Sequence, residues 1–447
     1  MRRALTASSL LGALVASLLL LAPPGRAADA ACPDCLRAGA ARVAMAIPPG
    51  TPLGGYGDTA RRLAVPDVLG RFPHAFWFRP NTGSLDPLAV RALVLESGGR
   101  RLTWFSVDLV AVDRALTARV TRALTEAGLP PGAVILSASH THSGPGAFME
   151  SGFLGFVSVE RFDHDVREAL VDGLVQAARR AEATKVVAHV ASASVTAPDV
   201  TISRLGQPVD RELSVMKFVS ASGAPIAILW NYAIHGTMLG AFNLRLSADV
   251  MGGATRIVEQ TTGVPALFVN GSVGDVSPAR HGETEMESVG RELAAAVLGA
   301  ATAAVPGPST PLRIASTRVT LPRPRLSIRG CTSSLVPRWL TLPLGWTLPD
   351  DTELLAARLG DIAWVTMPGE LQSRLGEAIK RSGRPAFARV LIAGLSNDYL
   401  GYFLTPADYG RVTYVACASL YGPDVGDRLA RAAQALVRAL ATDTSRP

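Results

Sequence analysis

Apolar residues along this chain fall mostly into short runs closed by Gly, Pro and polar turns, the pattern of buried strands, interspersed with stretches of helical period. An apolar run from Val43 to Ile47 leads into a Pro/Gly turn through Tyr56. The segments Ala89–Glu96 and Leu102–Leu109, separated by Gly98-Gly99, predict a hairpin. Ala115–Ala127 has helical spacing, and Ala133–Ala138 is a short strand that opens into a polar loop. A helix over Val166–Ala181 follows, then strands over Val186–Val195, Leu213–Val219 and Pro225–Asn231, the last running toward a histidine. Further strands are expected at Asp361–Met367 and Ala388–Leu395, with a closing helix over Asp427–Ala441.

Strands and helices mixed in this way predict an α/β fold: a mixed β-sheet core flanked by helices, in one large catalytic domain, with the site built from loops at strand ends. Strand order stays open. The sequence has no internal repeat and no low-complexity tract, and a Pro-rich stretch from Val305 to Pro311 sets off the last portion. Cys331–Trp346 carries Leu335, Trp339, Leu340, Leu342 and Leu344 among prolines without clear period. It is expected to be a buried irregular wrap, with an apolar lip around a lipid site as the alternative.

Composition changes this picture little. At 447 residues, 48% hydrophobic and 18% charged, the chain has ample material for a core and excludes a disordered class. Arg2 and Arg3, the apolar run Leu10–Leu21, Pro23-Pro24 and small residues at Ala28 and Ala30 predict a signal peptide over residues 1–30 and a mature domain over 31–447. The product would be secreted or periplasmic. Membrane anchoring by the N-terminus is the weaker reading, because the run is shorter than the ~20 residues a span needs. The net charge of +7 comes with no basic run interleaved with aromatics, so nucleic acid is not expected; a peripheral attraction to anionic membrane is. Four cysteines, Cys32, Cys35, Cys331 and Cys417, allow three pairings in an oxidising compartment, and a redox role for Cys32 and Cys35 is disfavoured by their context.

The chemistry concentrates in a few loops. Ser139-His140-Thr141-His142-Ser143-Gly144-Pro145-Gly146 places two of the seven histidines two positions apart after an apolar strand. In extended backbone both rings would face one cavity, where imidazole suits zinc and can also carry a proton. His235 follows a second apolar strand, and Asn270-Gly271-Ser272-Val273-Gly274-Asp275-Val276-Ser277-Pro278 is a Gly-rich loop able to present donors to a carbonyl. Asp249 is expected to cap a helix starting near Val250, and Asp108 to lie behind the site. His74, His164, His189 and His281 are expected to be structural or surface groups.

Together these loops resemble the neutral/alkaline ceramidase family, whose catalytic domain carries Thr-His-Thr-His-Ser-Gly-Pro-Gly, a His-Pro/Gly-Thr element and Gly-Asp-Val-Ser-Pro in this order. The resemblance continues through Met367-Pro368-Gly369-Glu370, through Gly394-Leu395-Ser396-Asn397-Asp398-Tyr399-Leu400-Gly401-Tyr402, and on to Tyr414 and Tyr421-Gly422-Pro423. It implies zinc held by His140, His235, Glu370 and Tyr402. It also implies catalytic parts for His142, Ser277 and Tyr414, and substrate binding by Arg204. The implied reaction is zinc-dependent hydrolysis of the amide bond of ceramide, a lipid substrate, to sphingoid base and fatty acid. Whether Ser277 is a nucleophile or a hydrogen-bonding contact stays open, although no Gly-x-Ser-x-Gly elbow is present and metal-activated water is the favoured attacker.

Three departures accompany the resemblance. The family's Asn-Arg-Ser-Pro is reduced to Ser203-Arg204-Leu205, Ala279 stands where Asn usually follows Ser-Pro, and the immunoglobulin-like C-terminal domain is not expected. The first two concern the substrate pocket. They leave room for a zinc amidase or esterase acting on another N-acyl lipid or a cell-envelope amide. A non-catalytic lipid-binding protein is the reading from another class, although all four ligand positions are occupied.

Overall fold

A computed structural model describes residues 32, 34–308, 311–345 and 348–442. The expected export segment and Trp346 lie outside the described residues.

The first sheet is built from β1 (Arg37–Ala44), β2 (Ala89–Ser97), β3 (Arg100–Val107), β4 (Ala133–Ala138), β5 (Val186–Thr196), β6 (Glu212–Ser220), β7 (Pro225–Tyr232) and β8 (Ala266–Asn270). Their order is β4-β3-β2-β1-β5-β6-β7-β8, and the short piece Val305–Pro306 pairs with β5 to complete nine strands. The Pro-rich stretch is thus partly sheet rather than a plain separator. Gly98 and Gly99, at φ +57° and +69°, make the tight turn between β2 and β3, where a Cβ would be strained. A second sheet contains β9 (Arg313–Thr320), β10 (Asp351–Leu359), β11 (Ile362–Thr366) and β12 (Arg389–Ala393) in that order.

Helices α1 (Arg114–Glu126) and α2 (His164–Ala183) cover the β1–β4 half of the large sheet, and α3 (Asp249–Thr262) and α4 (Glu283–Ala303) cover the β5–β8 half. The opposite face packs against the second sheet, with Trp104 and Trp364 5.3 Å apart between them. Helices α5 (Ser373–Ser382) and α6 (Val425–Thr442) close the far side of the second sheet. The layering is therefore helix, sheet, sheet, helix, which buries both faces of each sheet. That is why strands such as β8 read as continuous apolar runs rather than alternating ones.

One connectivity occurs three times. β1-β2-β3 are antiparallel neighbours, α1 crosses over, β4 lies parallel to β3, and α2 follows. β5-β6-β7 with α3, β8 and α4 repeat it, as do β9-β10-β11 with α5, β12 and α6. The sequence has no visible repeat because packing partners differ in each copy while the backbone rule does not. The consequence is chemical: each unit brings two adjacent parallel strands to the same kind of carboxyl end, where α/β sheets hold ligands.

The cysteines pair as Cys32–Cys35 and Cys331–Cys417. The segment expected to be a buried wrap is instead exposed at Leu335, Trp339, Leu340 and Leu342, because no element of the described chain covers it.

Candidate metal centre and its neighbours

Each unit delivers chemistry at its parallel pair. His140 follows β4, His235 follows β7, Glu370 follows β11, and Tyr399 and Tyr402 follow β12. Asn270, the last residue of β8, binds two of these loops together by donating its side-chain amide to the carbonyls of Ser139 at 3.1 Å and Ile234 at 2.9 Å. Asn397 does the same between sheets: its side chain accepts from Leu136 N and donates to Val134 O of β4.

The histidine loop is not extended. His140 has φ +73°, in the left-handed region, held by its own N–H to Leu109 O and by Gly236 N–H to its carbonyl. The strand alternation expected from the sequence therefore does not apply. The rings of His140 and His142 still meet, 4.9 Å apart, because the turn brings them together. Gly236 permits this approach: a Cβ there would fall 2.4 Å from His140 O.

The ligand atoms of His140, His142 and His235 lie within 4.8 Å of one another, all buried. Nδ1 of His140 is 2.6 Å from Val110 O; a carbonyl only accepts, so Nδ1 carries a proton and Nε2 is the ring nitrogen turned to the centre. Oε2 of Glu370 sits 3.4 Å from His140 Nε2 and 3.0 Å from His235 Nε2. Burial, then the nearby Arg204 and His140 charges, lower the pKa of His235 to about 3, so its ring is uncharged at neutral pH. Burial also holds His142 well below the usual histidine range. Glu370 is 1% exposed and turns Oε2 toward these rings.

His140 Nε2, both ring nitrogens of His142 and of His235, and Glu370 Oε2 are buried without hydrogen-bond partners. Buried polar atoms without partners cost free energy, and a cation among them would satisfy those with a lone pair to give, so this set fits a nitrogen/oxygen metal site.

Around the centre, Arg204 donates from Nε to Ser277 Oγ at 2.7 Å and from a terminal nitrogen to Tyr402 Oη at 3.2 Å. Among the described residues this is the hydrogen bond that the Ser277 side chain makes; no imidazole reaches it. Tyr402 shares a short parallel pair with Glu370, and burial followed by the Glu370 charge pushes its phenol well above the usual value. Tyr414 stands at the rim, 68% exposed, its ring 5.9 Å from that of Tyr402. The sequence-expected residues are thus neighbours, drawn from all three units.

Sequence reasoning passed over three groups. Tyr399 donates to Glu370 Oε1 at 2.7 Å. Tyr56 packs its ring 4.8 Å from His142, and Arg61 donates to the His142 carbonyl at 2.7 Å. Tyr399 lay within a motif already singled out; the other two carry no local signal, since only the fold puts their loop under His142. Asp249 is itself the first residue of α3, at φ +54°, and accepts from Val250 N at 2.7 Å and Leu239 N at 3.4 Å, anchoring the segment after His235. The Asp108 carboxylate accepts from Ala89 N and Arg91, while its backbone carbonyl lies against Gly144 of the histidine loop. His74 pairs with Asp163 and His281 with Thr237 O, as structural or surface groups.

A family profile described as neutral/alkaline non-lysosomal ceramidase, N-terminal, matches residues 80–295, a span that includes both histidine loops and Ser277. Over this span the chain is similar to the neutral ceramidases. It is 24% identical over 431 residues to a neutral ceramidase of Pseudomonas aeruginosa, covering 74% of this chain and 64% of that one. Neutral ceramidase B of Dictyostelium discoideum is 25% identical over 223 residues, 43% of this chain and 31% of its own. The chain thus spans just under two thirds of the bacterial relative's length and about a third of the other's. The crystal structure of the Pseudomonas neutral ceramidase superposes with a TM-score of 0.76 at 21% identity, covering 91% of this chain and 74% of that one, so the fold is shared with the ceramidases.

Proposed function

We propose that this chain is an exported zinc amidase that hydrolyses the amide bond of ceramide to a sphingoid base and a fatty acid. The observation that carries the reading is the buried convergence of orphaned His140 Nε2, His235 Nε2 and Glu370 Oε2 beside Arg204 and Tyr402, on a ceramidase fold. In this reading His140, His235, Glu370 and Tyr402 hold the metal. A zinc ion there supplies Lewis acidity, polarising the amide carbonyl and bringing the pKa of water toward about 7.

The chain's own residues do the rest. Arg204 keeps a fixed cation at the mouth, where it steadies negative charge growing on the carbonyl oxygen. His142, neutral and packed against Tyr56, takes up the proton that the attacking water gives up and passes it to the leaving amine. Ser277 serves as a hydrogen-bonding contact, its oxygen already accepting from Arg204. Tyr414, open at the rim, offers its hydroxyl to a polar group of the substrate. Residues 1–30 act as the leader and 31–447 as the catalytic domain, placing the product outside the cytoplasm in peripheral contact with lipid. Among the described residues, no helix is long and apolar enough to cross a membrane.

A second reading keeps the centre and changes the substrate to another N-acyl lipid or an envelope amide or ester, favoured by Leu205 and Ala279 where the family's pocket residues differ. The test is metal content of the purified chain together with cleavage of a fluorescent N-acylsphingosine, before and after chelation, and in His140→Ala. One zinc per chain with chelator-sensitive cleavage lost in the variant supports the ceramidase; zinc without cleavage supports the second reading; no bound metal overturns both.

A further inference from the structure

Segment 321–345 follows β9 outside the two large sheets, Arg325–Ser327 and Thr341–Pro343 pair with each other at its base, and the turn after the first of them is fastened to the rim of the site. Gly330 lies against the backbone of Ala416 and Cys417, where a Cβ would come within 3.1 Å, and Cys331 is bonded to Cys417. Cys417 ends the short turn that begins with Tyr414, whose ring stands beside Tyr402. Beyond the disulfide the chain turns apolar side chains outward: Leu335 is 92% exposed, Trp339 78% and Leu342 53%.

The charge of this stretch is one-sided. No acidic residue occurs between Glu292 and Asp350, whereas Arg323, Arg325, Arg329 and Arg338 lie in the segment itself. Arg329 spends its donors on the carbonyls of Gly410, Ser334 and Val336, so its charge is not cancelled by a carboxylate. A groove of about 440 Å³ runs between Arg325, Arg329, Arg338, Trp339 and Tyr409, with Asp424 as its one acidic lining residue. An exposed tryptophan and leucines set among arginines match an anionic lipid surface: the indole and leucines suit the headgroup boundary, and the guanidinium groups suit the phosphates.

We propose that residues 331–342 form a docking lip that seats the chain on an anionic bilayer, with Leu335 and Trp339 entering the headgroup boundary and the Tyr414 rim held at the lipid surface. It deepens the lipid-substrate reading by naming the surface from which substrate is drawn, and rests on that reading for its purpose but not for its binding.

The experiment is sedimentation of the full chain with vesicles of phosphatidylcholine and phosphatidylglycerol in equal parts, and with phosphatidylcholine alone. The variants are Leu335→Asp/Trp339→Asp, Arg338→Glu, and Val305→Asp as an exposed apolar control elsewhere. The expected result is binding to the mixed vesicles, weakened by at least about tenfold in the double variant and in Arg338→Glu but not in the control, with unchanged melting temperatures. Cleavage of a water-soluble short-chain N-acylsphingosine is measured alongside and should not change in the double variant. Absence of cleavage in every form would count against the proposed function alone, because vesicle binding is read without turnover. Wild-type protein that ignores both vesicles, or a double variant that binds as wild type does, overturns the lip. So does self-association of the wild type abolished in the double variant without vesicle binding, which would make the surface an interface between copies.

Discussion

Tyr399 donates its hydroxyl to Oε1 of Glu370 at 2.7 Å, leaving Oε2 turned toward His140 and His235. The phenol fixes which carboxylate oxygen faces the centre, a positioning part rather than a catalytic one. Tyr399→Phe is expected to weaken zinc binding by about 10–100-fold while leaving the fold intact. Competition against a chromogenic chelator measures it; unchanged affinity would mean that Glu370 is oriented by the metal alone.

Kinetics distinguish the two parts that Ser277 could take. If the serine is a contact, Ser277→Ala should lower kcat/KM by no more than about 10²–10³, the cost of losing one donor near the oxyanion. A loss near 10⁶ is what removal of a nucleophile produces, and would move the attack to the serine.

Asp249 should make stability depend on pH. Burial raises its pKa from 3.8 to about 7 despite donors from Val250, Leu239 and Met238. The folded form therefore binds a proton that the unfolded chain releases above about pH 4, so stability falls as pH rises from about 4 to 7 and then levels. The full effect is on the order of 4 kcal/mol. Asp249→Asn, which cannot ionise and tolerates positive φ, should flatten this slope in denaturant titrations; an unchanged slope would assign it to other groups.

The Cys331–Cys417 bridge closes a separation of 86 residues. Chain entropy alone gives such a loop roughly 4–5 kcal/mol of stabilisation. Replacing both cysteines by serine should lower unfolding free energy by up to that amount. It should also loosen the rim at Tyr414, seen as faster amide exchange in residues 414–417; protection unchanged there would show that packing of Gly330 suffices.

Much of this was legible in the chain. The Gly98-Gly99 hairpin, α1, β4, α2 and β5 to β7 fall within a few residues of their expected places, because each is bounded by turn residues or by a change of period. β9, β10, α4 and α5 went unread. β9 carries scattered Arg and Thr rather than a clear apolar run. His140, His142, His235, Glu370, Tyr402, Arg204, Ser277 and Tyr414 were named from motif order, which depends on local residue identity.

Local chemistry is thus written in short stretches of the chain: which loops carry imidazole, carboxylate and phenol, and which strands precede them. Tertiary structure decided the rest. The threefold β-β-β-α-β-α plan, the cysteine pairing, the exposure of Trp339 and the reach of Tyr399 to Glu370 all join residues far apart along the chain. Such contacts depend on how sheets stack and strands order themselves, and periodicity within a single segment carries no record of its distant neighbour.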